Sequence, residues 1–141
     1  MAYEMDYPDY HPGSTPGVVR WAPGTEFGAI AYDNTIAAGV TQVISYSFPD
    51  DGYFYVIDKV FCWRDNNGVT PFPMSVCPNI ALPVWTIIGL LEMDQSIDMT
   101  PFTMVSMVMA YPMAIKWDIT NPCNSAKWYA LHATMYRYLV V

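Results

Sequence analysis

The side chains of this sequence that could do chemistry are three cysteines, two histidines and a few neighbouring carboxylates. Cys62, Cys77 and Cys123 stand far apart. Their number is odd and no Cys-x-x-Cys pair occurs, so no disulfide framework is expected. Neither His11 nor His132 lies near a cysteine in the sequence, so zinc-ligand spacing is absent. The three thiols read as small buried or half-buried apolar residues, and reduced cysteines fit synthesis in a cytoplasm. Cysteine–histidine catalysis would have to bring His11 or His132 to one of them across the fold. No Gly-x-Ser-x-Gly and no glycine-rich phosphate loop is present. His132 sits inside an apolar run and reads as a hydrogen-bonded wall residue. Asp50-Asp51 and Asp94…Asp98 are the closest carboxylates. Glycosidase chemistry needs two carboxylates across a cleft, and Asp50-Asp51 lies between Pro49 and Gly52, where aspartate is favoured for its local backbone bonds. Asp65, Asn66 and Asn67 offer oxygens for calcium but not in an Asp-x-Asp-x-Asp-Gly loop. No catalytic residue, cofactor or metal site is assigned, and the chain reads as a non-enzyme.

The elements that carry these residues read as strands. Residues 40–48 are rich in Val, Ile, Thr and Tyr, and Pro49-Asp50-Asp51-Gly52 is a turn. Residues 53–63 form a long β-type run with Tyr53, Tyr55, Ile57, Lys59, Phe61 and Trp63 on one face. Phe54, Val56, Asp58, Val60 and Cys62 lie on the other, and with both faces largely apolar the strand is expected to be central and covered. Residues 64–68 are the next turn. Residues 69–83 carry Pro71, Pro73, Pro78 and Pro83 and read as loop or broken edge strand. Residues 84–92 and 102–110 are apolar runs separated by a polar break. Residues 112–120 alternate, with Met113, Ile115, Trp117 and Ile119 on one side. A turn at 121–125 precedes a last strand over 127–141, whose composition would also suit a helix. Strand after strand with turns between them predicts an all-β fold, an antiparallel sandwich or barrel. There is no internal repeat.

The first 39 residues differ. Four prolines and five glycines break any period, and each proline denies its predecessor a helical conformation. The segment reads as an extended arm, residues 1–39, before a β-sandwich domain, residues 40–141. It is no ordinary linker, because Tyr3, Tyr7, Tyr10, Trp21 and Phe27 are aromatic anchors that want a surface. These five are the expected contact residues, through strand addition or ring burial on a neighbour.

Composition narrows the function. Of 141 residues, 53% are hydrophobic and 13% charged, against about 25% charged in ordinary domains. The net charge is −7 and the six Lys and Arg are scattered singly, so direct nucleic-acid binding is not expected. The N-terminus lacks the positive start and apolar stretch of a signal peptide, and no apolar run reaches the length of a membrane span. A monomer so poor in charge would expose apolar patches, and the ten methionines suit adaptable contacts. An obligate oligomer, a homo-oligomer or a part of a larger shell, is expected. The alternative use of the five Trp and eleven Tyr is a sugar-stacking platform on a carbohydrate- or receptor-binding sandwich of a tail or fibre.

A proline- and glycine-rich arm, the run Phe48-Pro49-Asp50-Asp51-Gly52-Tyr53-Phe54-Tyr55-Val56-Ile57-Asp58-Lys59-Val60, and the run Ile115-Lys116-Trp117-Asp118-Ile119-Thr120-Asn121-Pro122 before a closing strand together resemble a known texture. It is that of small jelly-roll structural proteins of tailed phages and related viruses: capsid decoration or cement proteins, head-fibre bases and minor capsid proteins. The resemblance covers residues 40–141. It implies a jelly-roll-like sandwich in a virion, made in the host cytoplasm. It further implies trimers or higher rings bound to copies of itself and to other shell proteins. The arm, with one Arg against five acidic residues, departs from the basic arms of genome-packaging capsid proteins, which implies a place on the shell away from the genome.

Overall fold

A computed structural model of the chain describes residues 14–64, 71–92 and 103–140. Among the described residues there is no helix. Ten strands run in chain order: β1 Ser14–Pro16, β2 Val18–Trp21, β3 Phe27–Ile36, β4 Thr41–Ser47, β5 Tyr53–Arg64, β6 Pro71–Cys77, β7 Thr86–Glu92, β8 Thr103–Met109, β9 Ala114–Thr120 and β10 Lys127–Leu139. They form two five-stranded sheets, in the orders β1-β4-β9-β6-β7 and β2-β3-β10-β5-β8. Every pairing is antiparallel except that of β1 on β4. Counting from β3, the eight long strands lie as second-seventh-fourth-fifth and first-eighth-third-sixth. That is the connectivity of a jelly roll, so the chain is an antiparallel β-sandwich of jelly-roll type.

The inner faces of the two sheets meet over a core that includes Ile30, Ile44, Phe48, Tyr55, Ile57, Trp117, Leu131 and Met135. β9 alternates as its spacing requires, with Ile115, Trp117 and Ile119 buried and Lys116 and Asp118 half-buried. The closing segment is a strand and not a helix. β10 is paired along nearly its whole length with β3 on one side and β5 on the other. Such non-local pairing overrides the local preference of Ala130, Leu131 and Ala133. At the 49–52 turn Gly52 takes φ 78°, and Asp51 Oδ1 accepts a bond from the Tyr53 N–H at 3.0 Å.

Three expectations are corrected. First, β5 does not keep one face inward along its length. Its register against β10 shifts between Ile57 and Lys59, opposite Thr134 and Met135. Asp58 is the extra residue, so the buried side chains are Tyr55 and Ile57 before the bulge and Val60 and Cys62 after it. The Thr134 hydroxyl accepts from the Lys59 N–H at 3.2 Å and lies 3.4 Å from its carbonyl oxygen, which satisfies the interrupted ladder. Second, the proline-rich stretch holds β6, an interior strand between β9 and β7. Pro71 and Pro73 are two residues apart, so they remove donors from one edge only. β9 runs beside β6 only from Met74 to Cys77, so the stretch with both prolines has a single neighbour.

Third, the boundary between arm and domain does not fall at residue 39. Residues 1–13 lie outside the described residues. Residues 14–36 supply three strands of the sandwich. β1 lies on the edge of one sheet and β2 on the edge of the other, with Gly17 at the crossing. A Cβ on Gly17 would stand 2.5 Å from Ile30 Cγ2. β3 is a full interior strand whose Ile30, Tyr32 and Ile36 enter the core. Its outward positions include Ala29 and Ala31, which are neither polar nor large, so the two faces gave no contrast in the sequence.

Candidate functional site

Three features of the surface carry chemical interest. The first is a recess of about 230 Å³ on the outer face of the β2-β3-β10 layer, lined by Val18, Arg20, Ala31, Tyr32, Asp33, Asn34 and His132. Strand register builds it. Val18, Ala31 and His132 stand in one row across three strands, Arg20 lies on the next outward row, and Asp33 on the row to the other side. Ala31 is the low floor between taller neighbours. His132, half-buried, has its pKa lowered. Burial is the main cause and the positive charge of Arg20 adds to it, against an opposing pull from Asp33. A neutral imidazole there can accept a proton or a hydrogen bond. The lining includes a carboxylate, a guanidinium and an amide but no Ser, Thr or Cys to act as a nucleophile. The Tyr32 ring packs in the core cluster. Burial first, then the charges of Asp33 and Cys62, raise its pKa.

The second feature is an aromatic and cationic cluster at one end of the sandwich. The Arg137 guanidinium lies 4.1 Å from the Trp21 ring centre and 5.0 Å from that of Tyr53, and its Nε donates to Glu26 Oε2 at 2.6 Å. The Arg137 N–H also donates to the Glu26 carbonyl at 3.0 Å. Tyr55 donates a short hydrogen bond to Asp51. Burial, the bond to Asp51 and nearby Tyr46 and Asp51 push the Tyr55 phenol well above its usual range. Trp21 and Tyr53 are engaged by the protein's own cation, so this cluster pins β2 and the 22–26 turn to β10.

The third feature is apolar surface. On one sheet the β6–β7 hairpin exposes Leu82, Val84, Ile87 and Leu90. On the outer face of the other sheet Phe27 and Tyr136 have ring centres 4.9 Å apart, and Phe54 stacks on Tyr138 at 5.3 Å. Tyr136 is opposite Val56, and Val56 is opposite Val108, which is 62% exposed.

Of the five expected contact residues, Tyr3, Tyr7 and Tyr10 lie outside the described residues. Trp21 is half-buried on β2 against Arg137 and Tyr55, and Phe27 begins β3 beside Tyr136. Both rings thus pack on their own sandwich. Cys62 and Cys77 are buried and Cys123 is half-buried, and none of the three is in a disulfide. Burial drives the Cys62 thiol pKa far up, so it is inert as a nucleophile. Among the described residues no group of three or more His, Cys, Asp or Glu could hold a metal. Among the described residues no helix is long and apolar enough to cross a membrane. The sequence reading missed Arg20 and Asp33 beside His132, and Arg137 against Trp21, because only the β2-β3-β10 register brings each set together.

No protein-family model and no curated protein matches the chain. Among solved structures it is similar to the Yersinia pseudotuberculosis-derived mitogen, at 15% identity and TM-score 0.49, over 80% of this chain and 86% of that one. It is also similar to PliG of Salmonella Typhimurium, a periplasmic inhibitor of g-type lysozyme, at 11% identity and TM-score 0.39. That match spans 91% of this chain and 100% of that one. Likeness at this level carries no functional argument, and the fold stands on the strand order described above.

Proposed function

We propose that the chain is a non-enzymatic structural subunit that acts through protein–protein contacts in a symmetric assembly. In this reading it is a capsid, decoration or cement protein of a virion, built as a trimer or higher ring with copies of itself and other shell proteins. The observation that carries this reading is the apolar surface. Leu82, Val84, Ile87 and Leu90 on one sheet, and Val108, Tyr136, Tyr138 and Leu139 on the other, are exposed in a chain with only 13% charged residues. Monomeric proteins rarely expose contiguous apolar patches beyond a few hundred Å², and larger ones mark interfaces. Closed symmetry covers such patches without runaway growth. Light scattering on the purified full chain tests the reading. A mass of three or more copies is expected, and a soluble monomer would sink it.

A second reading rests on the ring pairs Phe27–Tyr136 and Phe54–Tyr138, which share one outward face of the sheet. Exposed rings in a strip suit the binding of a sugar or a receptor. It expects binding on a glycan array that Tyr138→Ala removes, and an array without a hit rejects it.

A further inference from the structure

We propose that the free edge of β7 pairs antiparallel with β7 of a second copy of this chain, joining two sheets across a two-fold axis between Ile88 and Gly89. The inference rests on the assembly reading above and names one of its contacts, a two-fold that joins copies in even numbers, as where two rings meet back to back.

β7 closes its sheet, and among the described residues its only ladder is with β6. Among the described residues nothing pairs with its other edge, whose main-chain N–H and C=O groups can take a partner strand. Proteins ordinarily blunt such an edge with charge, proline, a bulge or a very short strand. β7 is seven residues long and carries a bulge at Ile88, but its one charge is at the last residue, Glu92, and Thr86–Leu91 has neither a charged residue nor a proline. The absence of charge extends further. From Asn66 to Leu91 there is no Asp, Glu, Lys or Arg, in a chain of net charge −7. Copies of so acidic a protein repel, and the contact that overcomes this belongs on its uncharged surface.

The strand is also complementary to itself. Ile87 lies opposite Ser75 and Leu90 opposite Pro73, on the outward face of β6; Leu91 lies opposite buried Phe72. Ile88 is the extra residue of the register shift, so Ile87 and Leu90, three apart, share the outward face. With the axis between Ile88 and Gly89, Ile87 falls opposite Leu90 of the second copy and Leu90 opposite its Ile87. The exposed apolar residues then meet on one face. Leu82, Val84, Ile87 and Leu90 are 70%, 67%, 63% and 67% exposed, and Ile88 adds to them. Of these, Ile87, Ile88 and Leu90 lie within the paired strand, and covering them on both copies removes roughly 600 Å² from water, to which the paired backbone adds toward the area a specific interface needs.

The test uses the full chain. Two lysines on the outward face, Ile87→Lys with Leu90→Lys, block pairing and leave the core untouched, so the variant is expected to keep its melting temperature and to show half the light-scattering mass or less. A mixture of Ile87→Cys and Leu90→Cys chains, oxidised mildly, is expected to give the mixed disulfide in excess over either homodimer. Opposite residues have Cβ atoms about 5 Å apart, whereas Ile87 and Ile87 of the second copy are offset by about 10 Å. An oligomer that survives the two lysines, or that cross-links without preference, overturns the β7 contact and leaves the assembly reading standing. A monomeric wild-type chain overturns both.

Discussion

Asn121 shows how much one buried polar side chain can hold. It is wholly buried, and its amide donates to the Ile36 carbonyl at 2.8 Å and the Ser125 carbonyl at 3.0 Å. Its Oδ1 accepts from the Cys123 N–H at 2.9 Å. It thereby ties the end of β3 to the turn between β9 and β10. Asn121→Asp removes both donors and sets a carboxylate against two carbonyls. The loss expected is about 2–4 kcal/mol, read as a lower urea midpoint. His132 offers a test of charge. Its folded pKa lies below the ordinary 6.5, so the unfolded chain takes up its proton first as pH falls. Stability from this group is full above pH 6.5 and is lost between 6.5 and the lowered folded value. His132→Gln is therefore expected to flatten the fall in urea midpoint between neutral pH and the acid side of that window. An unchanged slope would show that the imidazole is not held neutral by its surroundings.

At the scale of elements, β2 is the most finely fitted. It lies on β3 through Val18–Trp21, and a Cβ on Gly28 would stand 2.7 Å from the Arg20 carbonyl oxygen and 2.5 Å from Trp21 Cε3. The ring could turn, but the backbone oxygen cannot move without loosening the ladder. Gly28→Ala is expected to cost roughly 1–3 kcal/mol and to shift Trp21 fluorescence as its stack on Arg137 opens. β2 also brings Val18 and Arg20 to the recess, so the variant disturbs that site from outside it. The paired bulge at Asp58 and Thr134 is a second fitted element. It turns the inward face of β5 from odd to even positions, which simple alternation could not anticipate.

For the whole molecule, the decisive question is where the independent unit begins. Removing residues 1–39 deletes β1, β2 and β3, takes Ile30 and Ile36 out of the core, and strips β10 of one neighbour. Such a chain is expected to lose its cooperative urea transition. Removing residues 1–13 keeps every described strand and is expected to preserve the transition. If the shorter chain assembles as the full one does, Tyr3, Tyr7 and Tyr10 are not the anchors, and the contacts lie on the sandwich itself.

The sequence by itself determined the class of fold and most of its strands. Runs such as residues 53–63 and 112–120 satisfy the period of two, and Pro49-Asp50-Asp51-Gly52 permits only a turn. Those signals are local, and the backbone obeys them wherever the chain sits. The tertiary structure decided the rest. β3 hid behind small outward alanines, and β6 carried prolines that are tolerated because its ladder with β9 ends at Met74. The recess at His132 and the Arg137 stack bring together residues from β2, the 22–26 turn, β3, β5 and β10. Their nearness comes from long-range pairing, which the sequence near each residue does not encode.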